Sequence, residues 1–324
     1  ADNMLDRVVA GNEYGGSLMA GKKVYLAQAK EGVSDVGPSL GGGITGKQDN
    51  AVFFYPFYLK VDGDDLKYDG DTKGAVLGYE RNLGNGLRLG IFGGYARGEV
   101  DYEIKGSDEE DQNIYAWGLY IDRLSRKECP WYLGLTVLGY YAEHEDYKGW
   151  TGLDYEIKEK GDYDSHGMEG RFTVGYRIIG KDWELMPSIG AGVSYWHLES
   201  FSTDAADPVW DRHYSSEGEV YGKVMAGLSG VKRWGVKDRR YYLGGLVRLE
   251  EALGDNDIEV GQAIPAIGTG KVKVEEEVGE FSVVGRLELG VKIKERYTLS
   301  ISPGIKYNSD YQVYGGQALL GIAF

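Results

Sequence analysis

Cysteine occurs once, at Cys129, so no disulfide can close within the chain, and a lone thiol has no partner for metal or redox work. No apolar run approaches the roughly 18 residues of a membrane-spanning helix. Positive charge is in deficit: 36 Lys and Arg stand against 51 Asp and Glu, a net charge of −15. That excludes the basic surface that nucleic acid requires. No P-loop, CxxC or HExxH occurs, and the Gly-x-Gly strings at Gly41–Gly43 and Gly190–Gly192 do not open a helix after a strand. No cofactor or metal site is therefore expected. The first residues, Ala1-Asp2-Asn3, lack a basic start and an apolar core, which reads as a mature or trimmed product rather than a signal peptide.

What is abundant is glycine, 51 residues, and tyrosine, 26 against 8 phenylalanines. Tyrosine so far above phenylalanine favours rings with one greasy and one wet end, as at a membrane–water boundary. The pattern is clearest in Asp71–Tyr102. Ala75, Leu77 and Tyr79 share one strand face, and Gly74, Val76, Gly78 and Glu80 the other. Asn85-Gly86 then signals a tight hairpin, since both positions tolerate positive φ. Beyond it Leu87, Leu89, Ile91, Gly93 and Tyr95 alternate with Arg88, Gly90, Phe92, Gly94 and Ala96. A soluble sandwich would put many Lys, Glu and Thr opposite the greasy face. Here that face is small with isolated charges, which fits lipid outside and a crowded polar lumen inside.

The same alternation predicts twelve strands from Val52 to the end. The first carries Phe53, Tyr55, Phe57, Leu59 and Val61 on its greasy face. Later examples are Trp131/Leu133/Leu135/Val137/Tyr141, Phe172/Val174/Tyr176/Ile178 and Tyr297/Leu299/Ile301/Pro303/Ile305/Tyr307. Odd connections read as long (62–71, 103–112, 143–168, 199–217, 251–279) and even ones as short, with the eleventh, Asn308–Asp310, a short exception. Long outer loops over tight periplasmic turns are how a bacterial outer-membrane barrel is built, and an even strand count puts both ends on the periplasmic side. The expected fold is an all-β, 12-stranded antiparallel transmembrane barrel. Acidic long loops, such as Asp62–Asp71 and Glu275–Glu280, read as ordinary solvated loops, with an outer rim that binds divalent cations bridging lipopolysaccharide as the alternative.

Residues 1–50 are read as a separate helical linker, with helices over Asp2–Ala10 and Ser17–Glu31, and residues 51–324 as the barrel. Twelve strands leave an interior wide enough for one helix. Inward Gly78, Gly90, Gly94, Gly190, Gly192, Gly304, Gly315 and Gly321 would make room for it. Inward Glu80, Arg88, Arg171, Arg177, Arg248, Glu250, Arg286, Glu288 and Lys292 would line the lumen with both signs.

Several segments together resemble the translocator domain of classical autotransporters, the type V secretion proteins. They are Tyr55-Pro56-Phe57, Tyr68-Asp69-Gly70-Asp71-Thr72-Lys73-Gly74, Leu87–Gly90 with Gly93–Tyr95, Pro187 with Gly192–Tyr195, and the closing Gln317–Phe324. The resemblance covers residues 52–324. It implies an outer-membrane protein that carries and anchors its own N-terminal passenger, a monomer with no enzymatic activity. It implies two further partners: outer-membrane lipid, and the barrel-assembly machinery, which reads a terminal strand with Leu320, Ile322 and Phe324 on one face. Relatives that cut themselves do so at an Asn-Asn bond, which is absent here.

A porin-like channel with a plugging N-terminal segment is the alternative, and an outer-membrane hydrolase the more remote one. For the latter, Asp211, His213 and Ser215 fall two residues apart on one face, a spacing that suits a nucleophile and its base. The other histidines, His144, His166 and His197, carry no such pattern.

Overall fold

The computed structural model describes residues 49–324, except 64–67, 103–107, 124–128, 151–156, 206–210, 237, 254–256, 264–271, 278–280 and 310. Both helices expected within residues 1–50 lie outside the described residues, among which there is no helix.

Twelve strands form the wall: β1 Asn50–Gly63, β2 Tyr68–Gly84, β3 Leu87–Tyr102, β4 Asp108–Arg123, β5 Trp131–Trp150 and β6 Ile157–Tyr176, followed by β7 Trp183–Leu198, β8 Glu217–Val236, β9 Arg239–Leu253, β10 Phe281–Ile293, β11 Tyr297–Asn308 and β12 Tyr311–Ala323. Each pairs antiparallel with the next, and β12 returns to β1 through a register that includes Val61↔Val313 and Ala51↔Ala323. The sheet closes, so no edge is left unpaired, which is what a hydrocarbon environment demands of strands. At the seam Asn50 and Phe324 exchange two backbone hydrogen bonds, of 3.1 and 2.8 Å. The hairpin expected at Asn85-Gly86 is present, with φ of 51° and 80°.

The outward face is apolar. Leu77, Ile91, Leu135, Phe172, Ile189, Leu243, Leu287 and Leu299 are all exposed. Aromatic rings bound this band at both ends. At one end Tyr95, Tyr115 and Tyr141 are cross-strand partners, with centroids 5.4 and 6.4 Å apart. At the other, Trp131 lies 5.2 Å from Tyr176 and Trp234 6.3 Å from Tyr241. Trp131 and Tyr141 are about ten residues apart on β5. At roughly 3.4 Å per residue and a tilt of ~45°, that spans about 24 Å, the height of a membrane barrel's apolar band.

Two expectations need correction. The greasy face read for β1 points inward: Phe53, Tyr55, Phe57 and Val61 are buried, while Val52, Phe54 and Tyr58 face out. Both faces of β1 are apolar, so alternation could not assign its phase. The long odd connections are also largely strand. β5 and β6 remain paired out to Trp150↔Ile157, and 199–217 and 251–279 contain short paired strands (Phe201–Ala205, His213–Tyr214, Asp257–Ala263, Val272–Glu277). Beyond the girdle water wets the outer face, so charges replace apolar residues while backbone pairing continues.

Candidate functional site: the barrel interior

Side chains line the interior in three tiers. In the tier near the short turns, Arg88 is bound by Asp122, with Nε–Oδ1 at 2.8 Å and Nη2–Oδ2 at 2.6 Å, and its Nη1 reaches Glu80 Oε2 at 3.2 Å. Tyr120 donates to the same Glu80 oxygen at 2.8 Å. All four are buried. Arg177 and Arg233 share Glu184, Arg177 through Nε at 2.9 Å and Arg233 through Nη1 at 2.7 Å. Tyr242 donates to Glu288 at 2.9 Å.

In the middle tier Glu169 meets Arg171 at 2.9 Å and Lys223 at 3.3 Å, and Ser194 donates to it at 3.3 Å. Glu250 meets Arg248 at 2.6 Å and Lys306 at 3.8 Å. Removing one member of such a pair leaves a buried charge uncompensated, so the clusters tie neighbouring strands together.

The tier towards the long connections centres on Glu110. Its Oε1 receives Tyr163 at 2.8 Å and Gln112 at 2.9 Å and lies 2.7 Å from His144 Nδ1. His144 Nε2 lies 2.9 Å from Ser165 Oγ. A serine, a histidine and a carboxylate are thus linked in series across β4, β5 and β6, within the distances a catalytic triad uses. Yet Ser165 is fully buried, and the His144 ring is stacked on Tyr163 at 4.4 Å, which continues through Phe201 to Tyr214. Buried, with the His144 ring stacked on Tyr163, this group is a packed polar network. The Asp211/His213/Ser215 pattern takes a different form: His213 is exposed and its Nδ1 lies 3.2 Å from Ser202 Oγ on the paired strand, while Asp211 accepts from the Ala205 amide at 2.8 Å.

Of the sequence-derived interior ions, Glu80, Arg88, Glu250 and Glu288 are buried, and Arg171, Arg177, Arg248, Arg286 and Lys292 are half-buried. Sequence reasoning missed Asp122, Glu169, Lys223, Lys306 and the Glu110–His144–Ser165 set. Each is in phase with neighbouring inward residues (Asp122 with Tyr120, His144 with Ala142), so continuing the period of two into polar stretches would have found them.

The inward glycines serve rings as well as space. Phe53 lies over Gly78, Tyr120 over Gly90, Phe92 over Gly118 and Tyr242 over Gly290, each directly across a ladder; a Cβ would sit within 2.1–2.3 Å of the ring. Aromatic side chains laid over cross-strand glycines help to pin register.

A closed twelve-stranded wall with an apolar exterior, two aromatic girdles and a charged interior is that of a β-barrel of the bacterial outer membrane. Residues 54–302 match the family described as the autotransporter beta-domain, and the chain belongs to that family. The fold is similar to the translocator domain of the autotransporter NalP from Neisseria meningitidis, with TM-score 0.72, 13% identity, and 95% of this chain and 98% of that one covered. It is also similar to the beta domain of the Bordetella autotransporter BrkA (TM-score 0.60, 13% identity, 85% and 100% covered). A third relative in fold is the transport unit of AIDA-I from Escherichia coli (TM-score 0.54, 13% identity, 86% and 91% covered). No curated protein matches the sequence.

Proposed function

We propose that residues 51–324 are the membrane anchor through which a passenger reaches the cell surface, and that residues 1–50 occupy the lumen as a helical linker to it. Family membership carries the transport reading. The interior supports the lumenal one. Eight-stranded barrels are just filled by their own side chains, whereas twelve strands leave room for one helix, roughly 10 Å across, and little more. Charges of both signs line that space. Transport would draw on assembly and on passenger folding outside, without nucleotide chemistry. The module is a transporter rather than an enzyme, and it works as a monomer among outer-membrane lipid and lipopolysaccharide.

Leu320, Ile322 and Phe324 share the outward face of β12 and are the proposed signal to the barrel-assembly machinery. Their position at the closing seam supports that role. The Asn50–Phe324 backbone pair means that delivering β12 completes the ring.

The test fuses an epitope ahead of residue 1, behind a secretion signal. Intact cells are expected to bind the antibody, and to lose the epitope to external protease while the barrel survives. An epitope found only after cell lysis contradicts transport. Separately, deleting residues 1–50 is expected to give a large steady conductance in planar bilayers. An unchanged conductance contradicts a lumenal segment.

A further inference from the structure

A row of rings crosses the girdle near the long connections. Tyr95, Tyr115, Tyr141, His166 and His197 are successive cross-strand partners from β3 to β7, and the row then meets Gly218 on β8. Both histidines are half-buried on the outward face, in phase with the exposed Met168 and Tyr195. A tyrosine at either place would serve the girdle; an imidazole adds a nitrogen that can ligate a metal.

The nitrogens of the other two histidines are engaged. Those of His144 meet Glu110 and Ser165, and Nδ1 of His213 meets Ser202. The nitrogens of His166 and His197 have no hydrogen-bond partner among the described residues. Instead the two rings lie beside each other, with centroids 5.0 Å apart and planes inclined at 49°. Gly218 makes room for the second ring, since a Cβ there would lie 2.7 Å from Nδ1 of His197.

A ligating nitrogen sits about 1.1 Å from the centre of its ring and about 2.0–2.1 Å from zinc, so two imidazoles sharing one tetrahedral ion have centres about 5.2 Å apart. Ligands at a right angle, as in square-planar and octahedral sites, would bring the centres to about 4.5 Å. The observed 5.0 Å is nearer the tetrahedral value.

We propose that His166 and His197 together bind a zinc ion on the outer face of the barrel, each through one ring nitrogen. Glu143, Asp164 and Glu199 surround the place on its long-connection side. Glu143 and Asp164 are cross-strand partners, the Asp164 carboxylate accepts from Tyr141 at 2.7 Å, and its carbonyl accepts from the Glu199 amide at 3.0 Å. Their negative charge draws a cation to the pair. Among the described residues no third His, Cys, Asp or Glu completes a ligand set, so water fills the remaining positions. Imidazole ligands select zinc over Ca²⁺ and Mg²⁺, which take oxygen. One ion held by both rings ties β6 to β7 at the level of the girdle.

The experiment reconstitutes the full chain in phosphatidylcholine vesicles and measures bound Zn²⁺ by equilibrium dialysis. His166→Gln and His197→Gln are each expected to lose the same single equivalent, and the double variant no more than either. Both side chains face outward, and heat-dependent electrophoretic mobility confirms that the variants fold. Acylation by diethyl pyrocarbonate, mapped by mass spectrometry, locates the ion. With zinc at about ten times its Kd, acylation of both His166 and His197 should slow roughly tenfold, because only the free imidazole reacts. Undiminished zinc in either single variant, or two equivalents lost in the double, overturns the shared ion, as does protection of only one of the two rings. Displacement of the zinc by an equal concentration of Ca²⁺ overturns imidazole ligation and assigns the binding to the carboxylates.

Discussion

Arg88 and Asp122 are direct partners across the β3–β4 ladder and are joined by two hydrogen bonds, of 2.8 and 2.6 Å, inside the barrel. Both are buried, as is Glu80, which takes the third contact from the same guanidinium. Arg88→Met would leave two buried carboxylates without their cation. The expected loss is about 3–5 kcal/mol, read as a lower urea midpoint in lipid vesicles. Combining it with Asp122→Asn should recover part of that loss, and a strictly additive double variant would show that the pair is not coupled.

Glycines in the wall should divide by what lies over them. Gly118→Val places a branched side chain where the Phe92 ring sits 2.3 Å from the added Cβ, with the Val137 carbonyl at 2.8 Å. A destabilisation of about 1–3 kcal/mol is expected from overpacking. Gly170→Val meets nothing within 4 Å and should be neutral or slightly favourable. Equal effects of the two would mean that ring placement does not govern these positions.

Salt should stabilise the part of the wall that projects beyond the Tyr95–Tyr115–Tyr141 girdle. There Asp71, Glu99, Asp111, Glu145 and Asp162 are successive cross-strand partners on the outer face. Like charges directly opposite repel. Arg97, 3.1 Å from Asp111, and Lys160, 3.2 Å from Asp162, relieve part of that row. Raising NaCl shortens the Debye length to about 3 Å at 1 M, so protease resistance of the β5–β6 tip should increase. A fall in resistance would contradict net repulsion.

The Glu110–His144–Ser165 series should be structural. A fluorophosphonate probe is expected to leave Ser165 unlabelled on the folded barrel, whereas Ser165→Ala should cost about 1 kcal/mol through the lost hydrogen bond. Stoichiometric labelling at Ser165 would mean that the stack of Tyr163, Phe201 and Tyr214 opens to a substrate.

Sequence periodicity carried most of the wall because each strand inside the bilayer meets oil on one side and a crowded lumen on the other. Leu89, Ile178 and Leu299 face outward and Arg88 and Glu288 inward, as alternation requires. It misread β1 because Phe53, Tyr55 and Phe57 pack over lumenal neighbours such as Gly78, a pairing that depends on register rather than on composition. It truncated β5 and β6 because pairing beyond the girdle rests on backbone hydrogen bonds, which leave no hydrophobic trace. The His144 network was hidden for a related reason: its members lie on three strands, far apart in the chain and adjacent only once the ladders are in register.

The central claim is that lipid surrounds this wall and polar groups line its interior. With Cys129→Ser as background, spin labels at Leu89, Ile178 and Leu299 in reconstituted vesicles test it most directly. High accessibility to oxygen and low accessibility to a water-soluble nickel chelate at all three are expected, and high chelate accessibility at these positions would contradict the account.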